Sequence, residues 1–201
     1  MLTLHDFLPS GNGYKVRLLL RRLGLPYRHV ETDIMRGATR TPEFLALNPN
    51  GRIPVLVLED GTPLAESDAI LWYLAEGTPW LPDTRLERAR VLQWMFFEQY
   101  SHEPALAVRR FILHHLPEES PRRAELPGLL VKGHAALAVL EQGLLGRDWL
   151  VGRRPSIADL ALYGYTHVAE EGGFDLAGYP TIRAWLARVA ADARHVSITA
   201  A

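Results

Sequence analysis

Asn48-Pro49-Asn50-Gly51-Arg52-Ile53-Pro54 packs turn-forming residues against a proline and runs directly into the apolar segment Val55 to Glu59. Asparagine, glycine and proline each favour a turn for a different reason, so residues 48 to 51 end whatever precedes them. Asp60-Gly61 is a two-residue hairpin turn, which makes Val55 to Glu59 and the brief Pro63 to Ala65 antiparallel strands. Past them, Ser67 opens a helix whose Ile70, Tyr73 and Leu74 share a face and whose end is marked by Gly77. Upstream, Thr41-Pro42 pairs an N-cap with proline at the first helical position, and the turn at 48 to 51 closes that short helix. Leu2 to Phe7 is an apolar strand; Val16, Leu19, Leu20 and Leu23 form a helical stripe ended by Gly24; Tyr27 to Thr32 is a second strand. A strand-helix-strand crossover is right-handed and leaves its strands parallel. The predicted order is βαβαββα, ending near residue 77.

After Thr78 to Asp83, a surface linker with two prolines and a tryptophan, the pattern becomes helical throughout. Thr84 and Glu87 form a capping box that opens a long, aromatic-rich helix to His115, in which Pro104 is predicted to introduce a kink. Further helices are expected over about residues 119–145, 156–170 and 180–191. The expected domains are therefore 1–77, α/β, and 84–201, all helical, joined by 78–83. Ser156-Ile157-Ala158-Asp159 is a second capping box, with the serine on the third amide and the aspartate reaching back. Its expected role is folding, and loss of either side chain is expected to cost roughly 1 kcal/mol.

A chain of 201 residues with 48% hydrophobic content can bury a full core. Its 22 basic and 23 acidic side chains are interspersed, giving a formal net charge of -1 and no basic field for nucleic acid or a membrane surface. No run approaches the roughly 18 apolar residues of a membrane span, and the start lacks the pattern of a secretory signal, so a cytoplasmic protein is expected. With no cysteine, any thiol chemistry must use a thiol brought by the ligand. There is no internal repeat, and His114-His115 point about 100° apart on a helix, which is poor geometry for one metal ion.

Three segments carry chemistry. Leu8-Pro9-Ser10-Gly11-Asn12-Gly13-Tyr14 leads from the first strand to a helix N-terminus, where partnerless N–H groups and the positive end of the dipole favour an anion. Ser10 can donate through its hydroxyl and Asn12 through its amide. A thiol bound there ionises below its ordinary value of about 8.5. Ser10 is equally of the type that caps its own helix. Ile53-Pro54 either holds a cis bond that turns the Ile53 N–H and C=O outward to dock an extended peptide, or is a trans entry to an edge strand. Glu66 and Ser67 either hold the ammonium and carboxylate of an amino-acid head group, with Ser67 at the N-cap, or simply begin a helix.

Ser10 to Val16, Asn48 to Leu56, Glu66-Ser67 and Ser156 to Asp159, in that order and over essentially the whole chain, resemble the glutathione transferase family, in particular its bacterial, serine-type, theta- or nu-like members. The resemblance implies a thioredoxin-like N-terminal domain, an all-α C-terminal domain, and a cytoplasmic homodimer that uses glutathione as co-substrate without metal or prosthetic group. It makes Ser10 the donor to the glutathione sulfur, with Asn12 a second candidate. Ile53 beside cis-Pro54 would bind the cysteinyl backbone, Glu66 and Ser67 the γ-glutamyl end, and Arg52, or a basic residue of the loop 36–40, the glycyl carboxylate. A small electrophile is expected between the domains, near Leu8, Tyr100, Ala107 and Phe111. The family's tyrosine- and cysteine-type sulfur contacts are absent, since position 10 is serine, the chain has no cysteine and Tyr14 lies inside the first helix. The implied reaction is attack of the glutathione thiolate on that electrophile. Alternatives are glutathione-dependent disulfide or peroxide reduction, and a non-catalytic interaction module of the same fold.

Overall fold

A computed structural model describes residues 1–200, which belong to two compact units: Met1–Thr78 together with the segment from Ala193 onward, and Pro79–Asp192. In the first unit, β1 (Leu2–Asp6), β2 (Tyr27–Glu31), β3 (Val55–Val57) and β4 (Pro63–Ala65) form one sheet in the order β2-β1-β3-β4. β1 and β2 run parallel, from Leu2 beside Tyr27 to Asp6 beside Glu31, joined through α1 (Gly11–Leu23) as a crossover requires. β3 is antiparallel to both β1 and β4, which sets His5, Val55 and Ala65 in one row. β3 stops short of Glu59 because the Leu58 N–H already closes the hairpin on the Thr62 carbonyl at 2.9 Å.

Two further helices complete this unit: α2 (Pro42–Leu47), capped by the Thr41 hydroxyl on the Phe44 N–H, and α3 (Ser67–Ala75), which packs on α1. The stripe that predicted α1 is buried, with Val16, Leu19 and Leu20 wholly inside, and Leu4, Leu56 and Ile70 meet them there. Each such side chain contributes about 2 kcal/mol on leaving water. Gly24, at φ 69, ends α1 by returning the N–H groups of Gly24 and Leu25 to the carbonyls of Arg21 and Leu20. The βαβαββα order is the one predicted.

The second unit contains α4 (Arg85–Phe97), α5 (Glu103–His115), α6 (Leu126–Leu144), α7 (Ile157–Thr166) and α8 (Pro180–Ala190), with no strand among its described residues. The break expected at Pro104 takes the form of a π turn over Glu98–His102, in which the Glu103 N–H reaches back to the Glu98 carbonyl. Pro104 has no N–H to give and its ring crowds the carbonyl four residues earlier, so a wider turn just ahead of it relieves the clash. All ten residues of α7 are buried. No helix among the described residues is long and apolar enough to cross a membrane. The segment from Ala193, assigned by sequence to the helical domain, lies instead with the first unit.

Candidate functional site

Strand directions bring three of the predicted segments to one end of the first unit's sheet. β1 finishes at Asp6 and leads into the loop carrying Ser10; β3 starts at Val55, just after Ile53–Pro54; β4 finishes at Ala65, just before Glu66. Because His5, Val55 and Ala65 share a row, the Ser10 loop, Ile53 and Glu66-Ser67 emerge side by side in the order of their strands. Two strand spacings separate β1 from β4, about 10 Å. An extended tripeptide spans roughly that distance.

Ser10 is half-buried at the N-cap of α1, with extended φ and ψ, and its side chain makes no capping bond. Its backbone N–H closes the loop on the Phe7 carbonyl at 2.7 Å. Asn12 sits in the first turn of the same helix, where no acidic residue is present to occupy the positive end of the dipole. Leu8 lies in the loop between β1 and Ser10.

The loop is held from behind by a buried ion pair that sequence reasoning did not single out. Arg17, with no exposed surface, donates from Nε to Asp6 Oδ2 at 2.8 Å and from Nη2 to the Leu8 carbonyl at 2.7 Å, and Asp6 Oδ1 accepts the Phe7 N–H at 2.7 Å. Burial pushes the Asp6 carboxyl up to about 7, against the opposing pull of the Arg17 guanidinium and the Phe7 N–H. His29 Nε2 stands 3.9 Å from Asp6, and burial lowers its pKa. Asp6 lies so close to α1 that a Cβ on Gly13 would fall 1.6 Å from its Oδ1. Glycine is required there by contact rather than by dihedral angle.

Ile53–Pro54 is cis. Ile53 lies outside the strand ladder, and neither its N–H nor its C=O takes a hydrogen bond among the described residues. Asn48, 5% exposed, closes the preceding turn from inside: its Nδ2 donates to the Arg52 carbonyl at 2.8 Å and its Oδ1 accepts the Asn50 N–H at 3.0 Å. Arg52 and Arg40 are both exposed, with Arg40 Nη1 3.5 Å from the Asn50 carbonyl.

Glu66, and not Ser67, occupies the capping position of α3; Ser67 is the first helical residue and is 4% exposed. Glu66 has φ 67, the single non-glycine residue with positive φ among those described. Such a conformation costs on the order of 1–3 kcal/mol and concentrates at binding sites. Two residues on from Glu66, Asp68 accepts from Lys15 Nζ at 2.9 Å, tying α3 to α1 through a lysine with no exposed surface.

In the second unit Ala107 and Phe111 lie one turn apart on α5, and Tyr100 lies in the π turn that precedes it. Ala107 is buried and Phe111 packs on His115 with ring centroids 5.3 Å apart. Tyr100, 89% exposed, lines a cavity of about 460 Å³ with Phe97, Pro104, Leu129, Lys132 and Val139. Ser156 and Asp159 stand in the core: the carboxylate accepts from the Ser156 N–H at 2.8 Å, the Ser156 hydroxyl at 3.1 Å, the Leu150 N–H at 3.1 Å and Trp185 Nε1 at 3.0 Å. Among the described residues no group of three or more acidic, histidine or cysteine side chains is placed to hold a metal ion.

Comparison with known proteins matches residues 9–76 to the glutathione S-transferase N-terminal domain and residues 105–193 to the glutathione S-transferase C-terminal domain. A crystal structure of a glutathione S-transferase from Pseudomonas fluorescens Pf-5 is 54% identical, covers 98% of each chain and superimposes with a TM-score of 0.94. The Escherichia coli disulfide-bond oxidoreductase YfcG is 35% identical over 190 residues, 91% of this chain and 87% of its own. A glutathione transferase from Burkholderia graminis, 31% identical with a TM-score of 0.84 over 96% of this chain and 85% of its own, was crystallised with two glutathione molecules per subunit.

Proposed function

The chain belongs to the glutathione S-transferase family, and on that premise we propose that it binds glutathione across the end of its sheet and holds the thiol as a thiolate beside Ser10. The observation that carries this reading is the Ser10 side chain, which stands at a helix N-terminus without capping it. Glutathione in extended form runs along the row of loops. Its γ-glutamyl ammonium meets Glu66, its γ-glutamyl carboxylate meets Ser67 and the start of α3, its cysteinyl N–H and C=O pair with Ile53 beside Pro54, and its glycyl carboxylate meets Arg52. The thiol then lies over Ser10, whose hydroxyl donates to sulfur, with the Asn12 amide as a second donor and the α1 dipole favouring the negative charge. A thiol of ordinary pKa about 8.5 is lowered into the neutral range in such a setting.

The thiolate attacks a small, hydrophobic electrophile: a carbon–sulfur bond forms, the leaving group departs with its electron pair, and the thiol proton passes to water. The protein supplies no sulfur of its own. A second reading is favoured by the relationship to a disulfide-bond oxidoreductase. In that reaction the thiolate attacks an external disulfide, releases one thiolate product and leaves a mixed disulfide, which a second glutathione resolves to oxidised glutathione and the other product. The Burkholderia relative, with two glutathiones in one subunit, supports room for that second thiol. We place the protein in the cytoplasm and assign it as a homodimer, with the exposed apolar side chains of Phe96, Tyr100, Val131 and Val139 as the covered face.

Turnover of a halogenated nitroarene beside that of a small dialkyl disulfide separates the two reactions. Retention on immobilised glutathione and ultraviolet titration of the bound thiolate test the shared step. A wild-type protein that binds glutathione without lowering its thiol pKa overturns the reading.

A further inference from the structure

We propose that the segment 193–200 is a strap that positions the sulfur loop through Arg17. This rests on the assignment of Ser10 to the glutathione sulfur. Arg17 is wholly buried and divides its donors between two clients. On one side Nε and Nη2 hold Asp6 and the Leu8 carbonyl, two residues before Ser10. On the other, Nη2 donates to the Ile198 carbonyl at 2.9 Å and Nη1 to the Ala200 carbonyl. A guanidinium is planar and its donors keep fixed angles. The tail carbonyls therefore help to set the plane from which the Leu8 carbonyl is held.

Tyr14, one turn earlier on α1 and also buried, fastens the same segment. Its hydroxyl donates to the Val196 carbonyl at 2.7 Å and lies 3.1 Å from His195 Nε2, with the two rings edge to face. Arg194 Nη1 donates to the Arg22 carbonyl at 2.6 Å. The strap thus runs along α1 from its last turn towards its first, and Arg17 is its inner end. Without it, the outer donors of Arg17 face water, the guanidinium is free to turn, and the Phe7–Ser10 loop loses one of its fixed points. Arg17 and Tyr14 are positioning residues, since neither is placed on the substrate.

The test is a variant ending at Asp192, compared with the full chain and with Tyr14→Phe, which removes only the hydroxyl that holds Val196. The truncated protein is expected to keep its KM for glutathione, because Ile53 and Glu66 are carried by other strands, while kcat at neutral pH falls about tenfold and the bound thiol titrates at higher pH. A synthetic peptide of residues 193–201 added in trans restores the thiolate signal. Amide exchange at Ser10 quickens in the truncated protein whether or not glutathione is present. Tyr14→Phe moves each quantity in the same direction by less. An unchanged thiol titration and unchanged Ser10 exchange in the truncated protein overturn the strap; if that variant does not fold, the same null result in Tyr14→Phe overturns it. If exchange quickens but the thiol of the full-length Ser10→Ala protein titrates as in wild type, the strap stands and the assignment of Ser10 falls.

Discussion

Ser10 and Ser156 each stand one residue ahead of a helix, and each has a buried aspartate beside it, yet the two helix starts are built differently. At α7 the carboxylate of Asp159 gathers Ser156, Leu150 and Trp185, so every donor in reach is consumed within the core. At α1 the aspartate, Asp6, is turned away towards Arg17 and the Phe7 N–H, and the Ser10 side chain caps nothing. The same residue type at the same position is structural where the protein satisfies it, and available to a ligand where the protein does not. Supporting charge goes to the backbone of the loop, and the hydroxyl is left uncommitted to its own helix.

The sharpest way to break this contrast is Asp159→Ala. It strands two buried N–H groups and an indole N–H, each costing about 1–3 kcal/mol, so a loss of about 3–5 kcal/mol is expected in denaturant unfolding. That exceeds the value of roughly 1 kcal/mol expected from the capping motif alone. Ser10→Ala is expected to do the reverse: stability changes by less than about 0.5 kcal/mol, while loss of a hydrogen bond to a charged sulfur, about 1.5–3 kcal/mol, raises the pKa of bound glutathione by about one to two pH units. A melt lowered as much as that of Asp159→Ala would mean that Ser10 is structural after all.

Asp6 sharpens the comparison through pH. Its folded value of about 7 lies above its ordinary 3.8, so across that window the folded chain holds a proton that the unfolded chain has released. Its contribution to stability is therefore fully present below 3.8, declines as pH rises and is gone above about 7. Unfolding free energies measured across this range should fall as pH rises, by at most about 4 kcal/mol for a shift from 3.8 to about 7, and Asp6→Asn should flatten that slope. A smaller loss than that of Asp159→Ala is expected for Ser156→Ala, about 1 kcal/mol in the same unfolding measurement, because Asp159 keeps its other three donors.

The strand and helix order was legible because each element is punctuated: Gly24 after the α1 stripe, Thr41-Pro42 before α2, Asp60-Gly61 between β3 and β4. The site segments were legible as motifs, since Ser10, Ile53-Pro54 and Glu66-Ser67 each match a resemblance that spans the chain. What was not legible depends on contacts distant in sequence. Lys15 and Arg17 are residue types expected at solvated helix positions, and only Asp68, Asp6 and the tail carbonyls explain their burial. Residues 193–200 have no periodicity that would attach them to the first unit. Positive φ at Glu66 is invisible in a residue type that ordinarily avoids it.

The π turn over Glu98–His102 makes chain length a structural quantity. A π turn holds one more residue than the α turn it replaces, so a single-residue deletion within 98–102 would let the segment close as ordinary helix with α5 kept in phase with α4. Glu98 and His102 now face inward and Tyr100 outward because the segment holds its present number of residues. Exchange of one side chain for another leaves the wide turn in place, whereas loss of one position would remove it and bring the Pro104 ring back against the carbonyl four residues earlier.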